Sequence, residues 1–405
     1  MKTFEQIAEL ERRYLLGTYN RYPIALTRGK GVFLYDLDDK RYLDFVAGLG
    51  VNALGHAHPR IVKTIREQAA KLIHVSNLYY HEYQGELAEK LCTLSGGSSG
   101  MSRAFFSNSG TEAIEGSIKL ARLAGHRAGG EAKSRLVALE GSYHGRTFGA
   151  LSLTGQEKHR KGFEPLLEEV TFVGQNDVEG LRAAVNDNTC AIVLEPIFGE
   201  GGIYECSVEF LQECRRLADQ HKAVLIFDEI QCGLGRTGTM FAFQSFGVTP
   251  DIVAIAKPIA AGLPLGAFLA KEEFASAISP GQHGTTFGGG PLACRVALEF
   301  LAIVEEEKLL ESVNKVGAYL QQELKALIEK RAAAQEVRGR GFIQGIQLDV
   351  PARPIVDAAL AEGVLFNSTQ DTVVRFLPPF LLEEKHVDKG IRVLKKLLAK
   401  KRKAA

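Results

Sequence analysis

Long apolar runs are missing from this 405-residue chain. None approaches the ~20 residues needed to cross a bilayer, so no membrane span is expected. An excess of one charge is missing too. With 49 basic and 48 acidic side chains the formal net charge is +1, so nothing electrostatic points to nucleic acid or an anionic membrane surface. The one basic cluster, Lys395 to Lys403, ends an amphipathic last helix, where solvated cations complement the helix dipole. The opening stretch MKTFEQIAELERRYLL lacks the apolar core of a secretory signal. Its Glu5, Glu9 and Glu11 are foreign to a transit peptide. The six cysteines are scattered and form no C-x-x-C pair, which argues against a disulfide framework or a zinc site and makes a reducing cytoplasm the expected location. His56 and His58 in GHAHP have no second His/Cys pair to complete a ligand set, so a turn is expected there and no metal. There is no internal repeat and no low-complexity linker.

What is present is ordinary globular composition, 45% hydrophobic and 24% charged, in a chain long enough for two domains. The pattern predicts an amphipathic helix over 3–16, then two alternating runs around Asp38-Asp39 that signal a hairpin. From about 59 to 290, helical stretches (59–73, 110–125, 207–221) alternate with short apolar strands at 103–106, 135–139, 191–195, 223–228 and 251–256. Strands apolar throughout and separated by helices indicate an α/β fold with a mostly parallel sheet covered on both faces. A long helical region follows from 291 to about 330. After it come strand-like VRGRGFIQGIQL, a helix near 354–363, strand-like VVRFL and a final helix. The expected organisation is an N-terminal helix and hairpin (1–58) belonging to a small domain, a large domain (59–290), and a C-terminal part of the small α+β domain (291–405).

Ligands of open α/β sheets bind beyond the carboxyl ends of the strands, and three such ends carry suggestive chemistry. RAFFSNSGTEAIEG runs from a strand through Ser109, Gly110 and Thr111 into a helix, a start whose free N–H groups suit a phosphate. A capping box of Ser109 with Glu112 explains the same residues. Asp228 closes AVLIFD, where a desolvated carboxylate needs a cation such as a protonated pyridine nitrogen, a metal or an arginine. Lys257 closes DIVAIAK, where a desolvated amine is suited to a Schiff base, although a lysine that snorkels to water looks the same. Phosphate cup, aspartate and lysine, each at its own strand end, are jointly what pyridoxal 5'-phosphate requires. One motif points elsewhere. Gly233-Leu234-Gly235-Arg236-Thr237-Gly238 fits the dinucleotide pattern G-x-G-x-x-G, but the aromatic-rich TMFAFQSFG after it is a poor helix start, and no acidic strand end follows about 20 residues on.

These residues sit in motifs that resemble the class III (ω-amino acid) aminotransferases of the fold-type-I pyridoxal-phosphate enzymes. The resemblance covers nearly the whole chain: YLLGTYNRYPIALTRGKGVFLYDLDDKRYLDF, VNALGHAHP, HVSNLYY, FFSNSGTEA, YHGRTFGALSLTG, LEPIFGEGG, LIFDEIQCGLGRTG, AIAKPIAAGLPLGA, HGTTFGGGPLAC and VVRFLPP. It implies that Lys257 carries the cofactor and Asp228 pairs with the pyridine nitrogen. By the same resemblance Ser109, Gly110 and Thr111 hold the phosphate, Tyr143 stacks on the ring, Gln231 bonds the ring hydroxyl, and Glu195 lies beside them. Thr286 resembles a threonine that reaches the phosphate in the neighbouring subunit, which implies a homodimer with shared sites. Arg146 and Arg375 match carboxylate-binding arginines, Glu200 an acid that pairs with Arg375, and Thr285 a substrate contact. The implied reaction moves the terminal amine of N2-acetylornithine to 2-oxoglutarate, giving N-acetylglutamate 5-semialdehyde and glutamate, a step of arginine biosynthesis. Ornithine, succinylornithine, 4-aminobutyrate, an aminomutase or an inactive scaffold of the same fold are the alternatives. The chain departs from the pattern at Pro258, where relatives usually have glycine or alanine, and at Gly290, where asparagine is common. Both are expected to act on loop geometry.

Overall fold

The computed structural model describes residues 2–97, 100–331 and 333–398, so the basic cluster beyond Leu398 lies outside the described residues. A seven-stranded sheet forms the centre. Its order is Arg103–Ser107, Gly266–Ala270, Ile252–Ile255, Val224–Asp228, Thr189–Leu194, Arg135–Leu139 and Val170–Val173. The last five strands pair in parallel, whereas Gly266–Ala270 runs antiparallel to both of its neighbours. The interior strands Thr189–Leu194, Val224–Asp228 and Ile252–Ile255 are buried at every position, which is why they read as unbroken apolar runs. Helix Gly110–Gly129 covers one face with Ile114, Ile118 and Ala121, and Val208–His221 buries Phe210, Leu211 and Leu217 in a separate apolar cluster.

Local chemistry explains where the helices start and stop. Ser207 caps Val208–His221 by accepting the Phe210 amide at 3.1 Å, and Lys222 ends it in the left-handed region. The predicted helical region after 291 is two helices, Pro291–Glu306 and Leu309–Lys330, broken at Lys308 with φ 52°. The first helix is Phe4–Tyr14, closed by a capping box from Thr3 to Gln6, and buries no residue.

Two smaller sheets flank the central one. Strands Leu26–Lys30, Phe33–Asp36 and Arg41–Asp44 form a meander around the Asp38-Asp39 turn. Val364–Leu365, from the far end of the chain, joins Arg41–Asp44 in parallel. The second sheet is Ala334–Arg340, Ile343–Leu348, Val373–Phe376 and Asn367–Thr369 in that order. His56 serves a turn: its Nε2 lies 2.8 Å from Asp44 Oδ2 while its backbone bridges Gly31. No described helix is long and apolar enough to cross a membrane.

The glycine-rich Gly233–Gly238 loop begins no helix longer than Phe243–Phe246. Arg236 from this loop is instead buried, with 1% of its surface exposed. It donates to the carbonyls of Gly50 (3.1 Å), Phe342 (3.4 Å) and Pro378, and lies over the Phe380 ring. No carboxylate is paired with it among the described residues, and burial pushes it down to about 9. One side chain therefore ties the loop after Val224–Asp228 to segments from both ends of the chain.

Candidate active site

A cavity of about 430 Å3 opens at the carboxyl ends of the parallel strands. Ser109, Gly110, Thr111, Tyr143, Arg146, Glu195, Glu200, Asp228, Gln231 and Lys257 all line it, although they come from five separate strand ends and loops.

At the first strand end, Ser109 caps the 20-residue helix by accepting the Glu112 amide at 3.3 Å. The reciprocal half of a capping box is not made. Glu112 instead takes the Asn108 amide at 2.6 Å and its side-chain Nδ2 at 3.0 Å. The Gly110 and Thr111 amides have no acceptor among the described residues, so the helix start presents donors to the cavity. A Cβ on Gly110 would come within 2.7 Å of Ile230 Cδ1, so only glycine fits this approach.

Asp228 is 3% exposed and accepts two hydrogen bonds, from the Ile230 amide (3.0 Å) on Oδ1 and from His144 Nδ1 (2.8 Å) on Oδ2. His144 Nε2 is buried and has no partner among the described residues. Sequence reasoning passed over His144 because its partner lies 84 residues away. The YHGRTFG motif around it was the available signal. Glu195 accepts the amides of Tyr143 (2.8 Å) and Gly199 (2.9 Å). Burial, and then the Asp228 charge, pushes Glu195 up to about 7.

Lys257 occupies a left-handed backbone position, φ 33°, at the start of the 3-10 turn Lys257–Ala260. Such strain at a non-glycine residue costs on the order of 1–3 kcal/mol and persists where the surroundings enforce it. Pro258 fits because the first turn of such a helix leaves its N–H unused, and its carbonyl accepts the Ala261 amide. Burial holds the Lys257 ammonium below its ordinary value, against the charges of Glu200, Asp228 and Glu195 and with that of Arg375. No side chain among the described residues accepts a hydrogen bond from it.

Arg375 is 1% exposed, on strand Val373–Phe376. Its Nη1 donates to Glu200 Oε1 and to the Gly199 carbonyl, both at 2.7 Å, and to Gln231 Oε1 at 3.1 Å. Burial pushes the Glu200 carboxyl up, but the charge of Arg375 and its hydrogen bond outweigh this and hold it at about 2. The pair therefore contributes to stability fully above pH 4.5, the ordinary value, and loses that contribution only as pH falls toward 2. Arg146, in contrast, is exposed. It donates to the Tyr143 hydroxyl at 3.2 Å and lies over that ring.

Two predicted residues stand outside this lining. Thr285 reaches the cavity wall indirectly, its Oγ1 accepting Asn108 Nδ2 at 3.2 Å. Thr286 is exposed to solvent in the single chain. Gly290 is the N-cap of Pro291–Glu306 and supplies no capping side chain.

Amides and an amine that bond no acceptor among the described residues, a buried carboxylate and an aromatic wall together fit the phosphate, carbonyl, ring nitrogen and ring face of pyridoxal phosphate. Relatives agree with this fit. Residues 17–398 match the profile of the family described as aminotransferase class-III. The chain is 46% identical over 390 residues to the acetylornithine aminotransferase of Methanocaldococcus jannaschii, covering 96% of this chain and 97% of that one. Among solved structures it is similar to the ornithine aminotransferase of Toxoplasma gondii (TM-score 0.93, 29% identity, 98% and 96% covered). It is also similar to the acetylornithine aminotransferase of Elizabethkingia anophelis (TM-score 0.88, 31% identity, 99% and 100% covered). Fold, site and relatives place the chain in the class III aminotransferases, the pyridoxal-phosphate-dependent transaminases of this α/β fold.

Proposed function

We propose that the chain moves the terminal amine of N2-acetylornithine to 2-oxoglutarate, forming N-acetylglutamate 5-semialdehyde and glutamate, as a step of arginine biosynthesis. The observation that carries this reading is the ion pair between buried Arg375 and half-buried Glu200 beside the exposed Arg146. A site with one arginine open and one covered suits substrates that alternate between one carboxylate and two. The naming of relatives such as that of M. jannaschii supports the donor.

Pyridoxal phosphate supplies the carbonyl on which amines exchange and a ring that takes up electrons as a C–H bond breaks. The chain's own groups do the rest. The Ser109–Thr111 turn holds the phosphate, Tyr143 covers one ring face, and Gln231 and Glu195 stand at its edge. Asp228 keeps a proton on the ring nitrogen. Lys257 would hold the cofactor covalently, and its amine, when free, would carry a proton between the two reacting carbons. Arg146 takes the donor's α-carboxylate while Glu200 covers Arg375. With 2-oxoglutarate, Glu200 turns aside and both arginines are used. In this reading residues 59–290 form the cofactor-binding domain, and 1–58 with 291–405 the smaller one.

Steady-state rates with acetylornithine, succinylornithine, ornithine and 4-aminobutyrate test the donor. Acetylornithine is expected to have the highest kcat/KM, by at least about tenfold over ornithine and 4-aminobutyrate. A preference for either of those two would overturn the assignment.

The reading includes a homodimer in the cytoplasm. Leu78 (87% exposed), Tyr80 (fully exposed) and Phe287 (67%) belong to two segments joined by Asn77, which bonds the carbonyls of Thr285 and Gly288. Large apolar side chains left in water at one place support a second copy there, and Thr286 would then reach the partner's phosphate. Light scattering is expected to give twice the chain mass. A Leu78→Asp/Tyr80→Asp variant should be monomeric and hold the cofactor more weakly, and a monomeric wild type would remove the shared site.

A further inference from the structure

The side chain of Glu200 bonds Arg375, and its backbone carbonyl is held by separate partners. Thr369 Oγ1 donates to the Glu200 carbonyl at 2.6 Å, and Gln370 Nε2 donates to the same oxygen at 2.9 Å. Gln370 Nε2 also donates to Gln156 Oε1 at 3.0 Å, and Gln156 Nε2 passes the connection to the Gly141 carbonyl at 3.1 Å. Three segments meet here: the loop leading to Tyr143 and Arg146, the loop of Glu200, and the turn between Asn367–Thr369 and Val373–Phe376. Thr369 is 7% exposed and Gln156 9%, so water does not compete freely for these bonds. Gln370 and Asp371 are both left-handed, with φ of 48° and 56°. Two successive side-chain-bearing residues in that region need an enforcing environment, and the shape they adopt aims the Gln370 amide at Glu200.

We infer that Thr369 and Gln370 are specificity-determining positioning residues, latching the Glu200 backbone to the turn that leads into Arg375. Arg375 is fixed from its own side as well, since Asn367 Oδ1 accepts its Nε at 3.0 Å and its Nη2 at 2.5 Å. With both backbones immobile, the change between one-carboxylate and two-carboxylate substrates is a rotation of the Glu200 side chain alone. The latch keeps Glu200 a strong competitor for Arg375. Releasing it lets the loop drift, weakens that competitor and favours dicarboxylates. This rests on reading Glu200 and Arg375 as the substrate switch.

The test uses the holoenzyme and two unreactive ligands of equal length, glutarate with two carboxylates and valerate with one, titrated by calorimetry. Thr369→Val/Gln370→Leu is expected to bind glutarate about three- to tenfold tighter, the effect of losing one to two neutral hydrogen bonds, with valerate unchanged. Gln370→Leu alone should shift the same way by less, which covers poor folding of the double variant. Thr369→Ser, which keeps the hydroxyl, should behave as wild type. Glu200→Gln separates the two ideas. If it tightens glutarate while the latch variants do not, or if they shift both ligands equally, the latch is overturned and the switch stands. If Glu200→Gln also leaves glutarate unchanged, the switch itself falls, and the latch with it.

Discussion

Lys257→Ala is expected to lower turnover by at least about four orders of magnitude while leaving the fold in place. Two functions leave with one amine. On the proposed assignment the covalent attachment of the cofactor is lost, and so is the general base that moves the proton, which alone contributes roughly 10^2 to 10^4-fold. The fold tolerates the change because Lys257 borders a cavity and no side chain among the described residues accepts a hydrogen bond from its ammonium. Removing a desolvated cation from such a place is close to neutral or stabilising. The lowered value of Lys257 gives a second readout, free of catalysis. A lysine whose folded value is depressed binds fewer protons folded than unfolded. Stability of the cofactor-free protein should therefore rise with pH between that depressed value and the ordinary 10.5, and Lys257→Ala should flatten this rise. In the wild type, borohydride followed by digestion should leave the cofactor's mass on the peptide that contains Lys257. A variant with near-normal turnover, or a label on a different lysine, would end the assignment.

Asp228→Asn should slow each half-reaction on the order of a thousandfold, with stability lowered by only about 1–3 kcal/mol. A carboxylate next to a ring cation at ~3 Å is worth roughly 5 kcal/mol at an effective dielectric of about 20, and the amide keeps little of that. Volume is nearly unchanged, and the substituted amide still offers one oxygen to the Ile230 N–H now bonded at 3.0 Å. His144 carries a further consequence. Its Nδ1 donates to Asp228 Oδ2 at 2.8 Å if the proton sits there, and an amide NH2 in that place forces the proton to Nε2. Because Nε2 is buried without a partner among the described residues, the exchange moves an unmatched donor into the core. Stopped-flow mixing with donor alone, and then with acceptor alone, isolates the two halves. Unchanged rates would leave Asp228 a structural strand end.

Much of this site was legible in the sequence because its chemistry sits at strand ends. Apolar runs mark the strands, and the first polar residue after each, as with Asp228 and Lys257, falls where a parallel sheet presents its ligand site. The parallel sheet was legible for the same reason. The antiparallel strand Gly266–Ala270 was not, since GAFLA is buried on both faces and its direction leaves no trace in composition. Other features become visible only once distant segments meet. His144 needs Asp228, and Gln370 needs a carbonyl 170 residues before it. The half-made capping box at Ser109 shows the limit from the other side. The residues permitted reciprocal capping, and geometry instead sends Glu112 to Asn108.

Arg236 distributes its bonds in a way that bears on how the protein tolerates change. All its acceptors are main-chain oxygens, at Gly50, Phe342 and Pro378. The acceptor oxygen persists whatever side chain Phe342 or Pro378 carries, whereas Gly50, at φ 90°, is itself restricted to glycine. Lysine in place of Arg236 keeps the charge without the planar fork that spans several carbonyls at once. The hydrogen bonds of the junction thus depend on the arginine and on Gly50, and not on the side-chain identity of the other two acceptor residues.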